Sequence, residues 1–397
     1  MKLFKFNPRK PVESFAAHFK VLTICGLWPP VNASPTVTRL YNIYSWCNLT
    51  FWLYFFVYTQ FMYFFEIRDL TDLANSLYFF LIQIVLIPKL YYLKKNGNRI
   101  RTCIEKLKSE LFISENESED ELVDAAIFRT VLFHRMEISM CYSCIIVWSI
   151  TVFIPGSGKM QLIPAKFPFD TSHGYAFALT FIYQFIAVSF SAFTHMTMDT
   201  LATGLFFHAA SQVNRLGNKL TNRNNYQELM KCIKHHKAII AYTSELEDVF
   251  KESLFAQLMS TLVILCMTEF LLMNFQKGNS LMFLNVFSYF LIVTFQIWQL
   301  CYTGNEVFYA TLVEKAYFSN FLVFDIKTSK TLVTFMERLK RDIDVTCGFI
   351  FKVTLNINTF LAIMRASYSY FAVLQSVDDR FLLFLSFYDI AYIFPNH

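Results

Sequence analysis

The chain has 397 residues, of which 55% are hydrophobic and only 16% charged. A soluble domain carries roughly a quarter charged residues, so this composition argues against a water-soluble protein and for a polytopic membrane protein. The net charge of +5 is mild; in a membrane protein it bears on topology, not on nucleic acid. Gly and Pro are scarce and no internal repeat is visible, which argues against a solenoid or a disordered chain.

The N-terminal stretch MKLFKFNPRKPVESF is charged and has no apolar region of signal-peptide length, so the first span is expected to act as the targeting signal. Seven apolar runs follow, at Ile43–Phe65, Ser76–Leu93, Arg135–Ile154, Tyr175–Met198, Ser253–Met273, Leu281–Thr303 and Thr346–Gln375. The second is short, is broken by Pro88, and is followed by Lys94, Lys95, Arg99 and Arg101. The fold class expected is all-α, with seven transmembrane helices.

Basic residues alternate along the chain. They crowd the N-terminal segment, the start of the second loop (Lys94, Lys95, Arg99, Arg101), the fourth loop (Arg215 to Lys237) and the sixth (Lys315 to Arg341). The first, third and fifth loops are nearly free of them. Basic residues near span ends mark the cytoplasmic side, so the N-terminus is placed in the cytoplasm and the C-terminus outside. That leaves a cytoplasmic N-terminal segment (1–42), a seven-helix transmembrane domain (43–375) and an atypical C-terminal tail (376–397). On this topology Asn32 and Asn116, in Asn-x-Ser/Thr sequons, are cytoplasmic and Asn48 lies in or beside the first span, so all three are expected to be unglycosylated.

Between the fourth and fifth spans, Leu229, Ile233, Ile240, Leu246 and Val249 recur at roughly helical spacing. This predicts a cytoplasmic extension of the fifth helix, and Lys330 to Arg341 reads as a further helix before the seventh span. Such apolar stripes need a partner, which points to a cytoplasmic anchor (about 200–252 and 304–348) and to an oligomer. The last run carries Asn356, Asn358, Arg365, Ser367 and Ser369, polar groups that a lipid-facing helix avoids. Glu269, and Asp199 beside His195, are ionisable near membrane depth; each either lines a conduit or pairs, for instance with Arg365 or Lys352. Cys141 and Cys144 stand in an apolar helix without a second pair, so packing outweighs a metal site. Cys232 with His235 and His236 reads as a solvated cytoplasmic face. No catalytic or nucleotide-binding motif is present, and no enzyme activity or cofactor is expected.

Four stretches carry a resemblance: LMKCIKHHKAIIAYTSELEDVF (229–250), CYTGNEV (301–307), KAYFSNF (315–321) and ASYSYFAVLQ (366–375). Together they resemble the insect odorant receptor family over about Asn7 to Gln375. The chain departs from it at Phe321, where members often carry Trp, and in the 22 residues after Gln375. The segment between spans four and five is compact, unlike the co-receptor, which carries a long insertion there. The resemblance implies a ligand-tuning subunit of an odorant-gated, non-selective cation channel. Such a subunit forms a heterotetramer with the co-receptor in the plasma membrane of olfactory sensory neurons, where it detects small volatile apolar molecules. The alternatives are a seven-span G-protein-coupled chemoreceptor or a gustatory receptor. The first is disfavoured by the opposite topology and by the missing Asp/Glu-Arg-Tyr and Asn-Pro-x-x-Tyr motifs, the second by the Gln375-Ser376 ending.

The resemblance also implies a pore gate at Val373, near the outer end of the last helix, where a hydrophobic ring blocks ions by dewetting. At ~100° per residue, Ala366, Ser369, Tyr370 and Val373 share one face, with Gln375 at the mouth; Val373 packing on a neighbouring helix is the alternative. The implied pocket lies in the outer half, between spans two, three, four and six. A family pattern of small residues before a Trp matches Cys141, Cys144 and Trp148. Depth alone adds Tyr78, Phe79 and Ile82 in span two, Tyr183, Ala187 and Phe190 in span four, and Phe287 and Phe290 in span six. In a chain that is 18% aromatic, each of these also reads as core or lipid-facing.

Overall fold

The computed structural model describes residues 10–30, 33–67, 69–154, 161–171, 174–221, 225–273, 280–308, 316, 325–340, 345–348 and 352–393, with backbone alone at 280, 308 and 377–393. Expectations on Asn32, on the stretch 315–321 apart from Ala316, and on tail residues beyond 393 lie outside these.

A short helix α1 (Ala16–Ile24) leads to α2 (Pro35–Asn48), which continues through a π-helical turn (Leu49–Tyr54) into α3 (Phe55–Tyr63). The long helices are α4 (Leu70–Lys106), α5 (Glu117–Val152), α6 (Gly174–Thr221), α7 (Tyr226–Met273) and α8 (Ser280–Phe308). These five are each long and apolar enough to cross a membrane. Then come α9 (Ile326–Leu339), two short strands β1 (Thr346–Cys347) and β2 (Val353–Thr354), and α10 (Ile357–Ile393). Along their lengths α4 packs on α7 and α5 on α6, while α10 lies against α7 and α8 and α1 against α6.

Two sequence expectations change here. Pro88 does not break α4, which is continuous from Leu70, where the Asp69 carboxylate accepts the Asp72 N–H at 2.6 Å, to Lys106. One lost backbone bond is tolerated where neighbouring helices hold the segment. The final apolar run is not one helix from Thr346. Its first residues form an antiparallel hairpin, with Thr346 opposite Thr354 and Cys347 opposite Val353. Gly348, at φ +93, supplies a turn conformation that a side chain would strain. The Gly348 N–H donates to the Lys251 carbonyl on α7 at 3.2 Å. Asn356 is a cap and not a lumen group: its Oδ1 accepts the Thr359 N–H at 2.9 Å and so starts α10. At the other end α10 passes Gln375 without a break and runs to Ile393.

The hairpin explains the glycine of the CYTGNEV stretch. A Cβ on Gly304 would stand 2.3 Å from the Leu355 carbonyl oxygen and 2.7 Å from Leu355 Cβ. Glycine there lets the hairpin exit lie directly on α8.

The half of the bundle rich in basic residues is tied by charge. The Arg215 side chain is fully buried; it donates to Glu119 Oε2 at 2.6 and 3.0 Å and to the carbonyls of Phe112 and Ile113, both at 2.6 Å. Through these bonds α6 holds both the loop before α5 and the first turn of α5. Arg99 on α4 bridges Glu245 (2.8 Å) and Asp248 (2.6 Å) on α7. The arginine's hydrogen bond holds the Glu245 carboxyl below its usual range. Cys232, His235 and His236 are buried, not solvated as their polarity suggested. His235 Nε2 sits 3.1 Å from Gln212 Oε1 and His236 packs edge-on to Phe335 of α9. Burial, and then the Arg215 charge, push the His235 imidazole down to about 3.

Two outcomes follow. Alanine in a helix normally gains about 1 kcal/mol over glycine, but Gly304→Ala collides with backbone. We expect a net loss of about 1–3 kcal/mol, seen as a lower melting temperature of the detergent-solubilised protein. His235 is neutral when folded and titrates near 6.5 when unfolded. Its contribution is complete above pH 6.5 and declines as pH falls toward 3. Thermal melts at pH 7.5 and pH 5 should show a loss on the order of 1–2 kcal/mol, which His235→Gln reduces.

Candidate functional site

A cavity of about 70 Å³ lies between α4, α5, α6 and α8. Its walls are Phe79, Ile82 and Gln83 of α4; Cys141, Cys144, Ile145 and Trp148 of α5; Val188, Ser191, Ala192, His195 and Met196 of α6; and Tyr289 and Ile292 of α8. Leu162 and Ile163 close it from the segment between α5 and α6. Gln184 holds that segment in place. Its Oε1 accepts the N–H groups of Leu162 (3.0 Å) and Ile163 (3.3 Å), and its Nε2 donates to the Ile163 carbonyl at 3.0 Å. The Lys166 N–H adds a bond to the Thr59 carbonyl at 2.9 Å.

The lining is apolar with few polar groups, as small-molecule sites are. Ser191 Oγ, Gln83 Oε1 and Tyr289 Oη are buried there without a hydrogen-bond partner among the described residues. An unpaired buried polar atom costs about 1–3 kcal/mol, so a ligand carrying one matching group recovers that energy on binding. An aromatic wall divides the cavity from a more open one of about 450 Å³: Phe79 meets Trp148 edge-on at 4.5 Å, and both lie near Tyr289. The larger cavity is bordered by Tyr63, Glu66, Asp72 and Asn75 and so is polar and acidic.

Below the small cavity several polar groups are paired, while buried Glu137 has no hydrogen-bond partner among the described residues. Lys89 Nζ, with its side chain fully buried, lies 2.5 Å from Asp199 Oδ1 and 3.3 Å from His195 Nε2. Gln296 Nε2 donates to Asp199 Oδ2 at 2.7 Å. Asp199 is thus partnered by Lys89 of α4, not by Arg365 or Lys352 of the last run. Glu269 accepts a hydrogen bond from Ser367 of α10 at 3.1 Å.

The sequence-based candidates divide. Phe79, Ile82, Cys141, Cys144 and Trp148 come together in the cavity wall, and Tyr78 borders the larger cavity. Five others line neither. Tyr183 sits in an aromatic cluster with Phe51, Trp52, Phe55 and Phe167, donating its hydroxyl to the Phe51 carbonyl at 2.8 Å. Ala187 is buried in the helix packing, Phe190 and Phe290 are half-buried, and Phe287 is exposed and stacked on Phe283. The wall on α6 is instead 188, 191, 192, 195 and 196, and on α8 it is 289 and 292. The residues that face the cavity stand a residue or two from those candidates along α6 and α8, at ~100° each. The polar positions Gln184, Ser191, His195 and Asp199 were the signal available for the inner face of α6. The Leu162-Ile163 pair was visible as an apolar break in a polar loop.

On α10, Ile363, Ser367 and Phe371 are buried. Ser369 is exposed, as are Tyr370 at 58% and Val373 at 60%, while Ala366 and Gln375 are intermediate. Within one chain, then, the face expected to line a pore is turned away from the bundle.

Breaking a buried pair strands a charge at a cost of about 3–5 kcal/mol, whereas replacing both members by apolar groups is often neutral. We therefore expect Asp199→Asn to lower the melting temperature in detergent strongly, and Lys89→Met with Asp199→Leu to recover much of the loss. Equal stability of Asp199→Asn and the parent would show that the pair is solvated.

A family model described as "7tm Odorant receptor" matches residues 69–368. Odorant receptor Or1 of Anopheles gambiae is 30% identical, covering 96% of this chain and all of its own length. Odorant receptor 46a, isoform A, of Drosophila melanogaster is 21% identical over 93% of this chain and 100% of its own. The insect olfactory receptor OR5 of Machilis hrabei, solved alone and in complex with eugenol, superposes with TM-scores of 0.80 and 0.82. Identity is 15%, and 92% and 93% of this chain and 98% of that one are covered; at that identity the likeness concerns the fold. The chain belongs to the insect odorant receptor family, multi-pass membrane receptors of olfaction and not enzymes, and stands with its ligand-tuning members, not with the co-receptor.

Proposed function

We propose that this chain is the ligand-tuning subunit of an odorant-gated, non-selective cation channel. It assembles with the odorant receptor co-receptor into a heterotetramer in the plasma membrane of olfactory sensory neurons. Seven helical passes leave the N-terminus in the cytoplasm and the C-terminus outside. The basic ends of α6, α7 and α9 form the cytoplasmic anchor between subunits, and α10 of each subunit lines the pore. The observation that carries this reading is the pairing of two features. One is an aromatic cavity in which Gln83 Oε1, Ser191 Oγ and Tyr289 Oη have no hydrogen-bond partner among the described residues. The other is a terminal helix with one face packed on α7 and α8 and the other uncovered.

The ligand is a small, mostly apolar molecule with one hydrogen-bonding group, set by Ser191 and Gln83. Eugenol, a phenol carried by the OR5 structure, is a suitable first probe. Ligand binding favours opening only through tighter binding to the open state. In the open state the outer ends of the helices around α10 move Val373 off the pore axis.

The test is voltage clamp of oocytes expressing the chain with and without an insect co-receptor, against a panel of phenols, alcohols and indoles. Inward cation current should need the co-receptor and persist when G-protein signalling is blocked; current lost under that block would overturn the channel reading. Ala192→Phe, which fills the cavity, should raise the half-maximal concentration at least about tenfold, a loss of about 1.4 kcal/mol. Val373→Ala should raise the current without ligand; an unchanged resting current would remove Val373 from the gate.

A further inference from the structure

A third cavity, of about 350 Å³, lies between the α1–α2 connection, α2 and α4 at the end opposite the acidic cavity. Its polar lining is Lys94, Arg101, Asn42, Asn98 and Ser45, with the rings of Trp28 and Trp46, and no carboxylate borders it. The other large cavity differs: it is bordered by Asp72 and by Glu66, which Lys166 neutralises at 2.6 Å.

The cavity is built, not incidental. Gly26 has φ +80, and a Cβ there would lie 2.9 Å from Ser45 Cα, so glycine lets the connection turn tightly onto α2. Tyr41 locks the turn by accepting the Trp28 N–H and donating to the Thr23 carbonyl, both at 3.1 Å. The Arg101 guanidinium stacks over Trp28 at 4.7 Å and donates to the Pro29 carbonyl at 2.5 Å; Lys94 lies 5.5 Å from the Trp46 ring and donates to Ser45 Oγ at 2.9 Å. Those partners are neutral. Arg99, between them on α4, is neutralised by Glu245 and Asp248, whereas among the described residues neither Lys94 nor Arg101 has an ion-pair partner. Gly97 faces open space, with nothing within 4 Å of a Cβ. The rim runs directly into exposed apolar side chains, Leu40, Ile43 and Trp46 of α2 and Tyr91 of α4. Two uncompensated cations, hydrogen-bonding amides, aromatic rings and an adjoining apolar strip are what a phosphate bearing acyl chains requires.

We propose that this groove binds the headgroup of an anionic phospholipid of the cytoplasmic leaflet, with Lys94 and Arg101 on its phosphate and the Trp46 face of α2 along its acyl chains. The leaflet follows from the orientation proposed above; the binding itself depends on neither odorant nor channel activity. A headgroup seated there joins α1, α2 and α4, and so couples membrane composition to the helix that carries Phe79, Ile82 and Lys89.

The test uses the full chain in nanodiscs of phosphatidylcholine, with and without phosphatidylinositol, read by thermal melting and by lipid retained in native mass spectrometry. Phosphatidylinositol should raise the melting temperature and remain bound. Lys94→Gln with Arg101→Gln removes both charge-assisted contacts and should weaken binding at least about tenfold. Because Arg101 also supports Trp28, Gly97→Leu is the second variant: it fills the groove while both cations remain, and it should abolish retention. Unchanged retention in both variants would overturn the proposal. Equal stabilisation by soluble inositol phosphate without lipid would do so too, since it would identify an aqueous anion site. Odorant currents that fail while lipid retention follows the variants would count against the channel reading alone.

Discussion

A charge inside a low-dielectric bundle is costly unless it is paired, and much of this structure follows from that constraint. Lys89, Asp199, His195 and Gln296 meet that demand together where α4, α6 and α8 converge. An isolated charge at that depth is prohibitive, but a hydrogen-bonded pair is tolerable. The cluster fixes the relative rotation of three helices, and the cavity above it inherits its shape from that rotation. His195 belongs to both, closing the cavity from below while bonding into the cluster.

A second set of paired charges acts at the basic end of the bundle. Arg215 gathers the loop before α5 and the first turn of α5 onto α6, and Arg99 fastens α4 to α7. The paired arginines leave Lys94 and Arg101 conspicuous, because neighbours on the same helix that could have been neutralised in the same way are not. The bundle is thus pinned at its basic end and around its polar middle. The segment that borders the cavity toward the acidic end is held by the Gln184 side chain and by Lys166, which bonds the Thr59 carbonyl and pairs with Glu66.

The terminal helix joins these parts. Its buried face, Ile363, Ser367 and Phe371, is set by α7 and α8, and Ser367 reaches Glu269. Its start is set by the hairpin resting on Gly304, and by Asn356 as cap. Fixing the start and one face leaves the other face, with Tyr370 and Val373, exposed.

Composition, apolar run length and the alternation of basic residues determined by themselves that the chain is a helical membrane protein, and where most of its helices lie. These are one-dimensional properties, set by bilayer thickness and by charge. The motifs placed it in its family. The sequence also brought Phe79, Ile82, Cys141, Cys144 and Trp148 to one level. Tertiary structure alone decided which way each helix turns. In a chain this aromatic every face looks like a core, so Tyr183 and Phe287 could not be told from Tyr289 or Ile292 by hydrophobicity. The choice was made by long-range polar pairings such as Lys89 with Asp199, 110 residues apart, which no local pattern encodes. The hairpin at Thr346–Thr354 was hidden for the related reason that hydropathy does not distinguish a strand from a helix. There the decision lay with Gly348, Asn356 and the space left by Gly304.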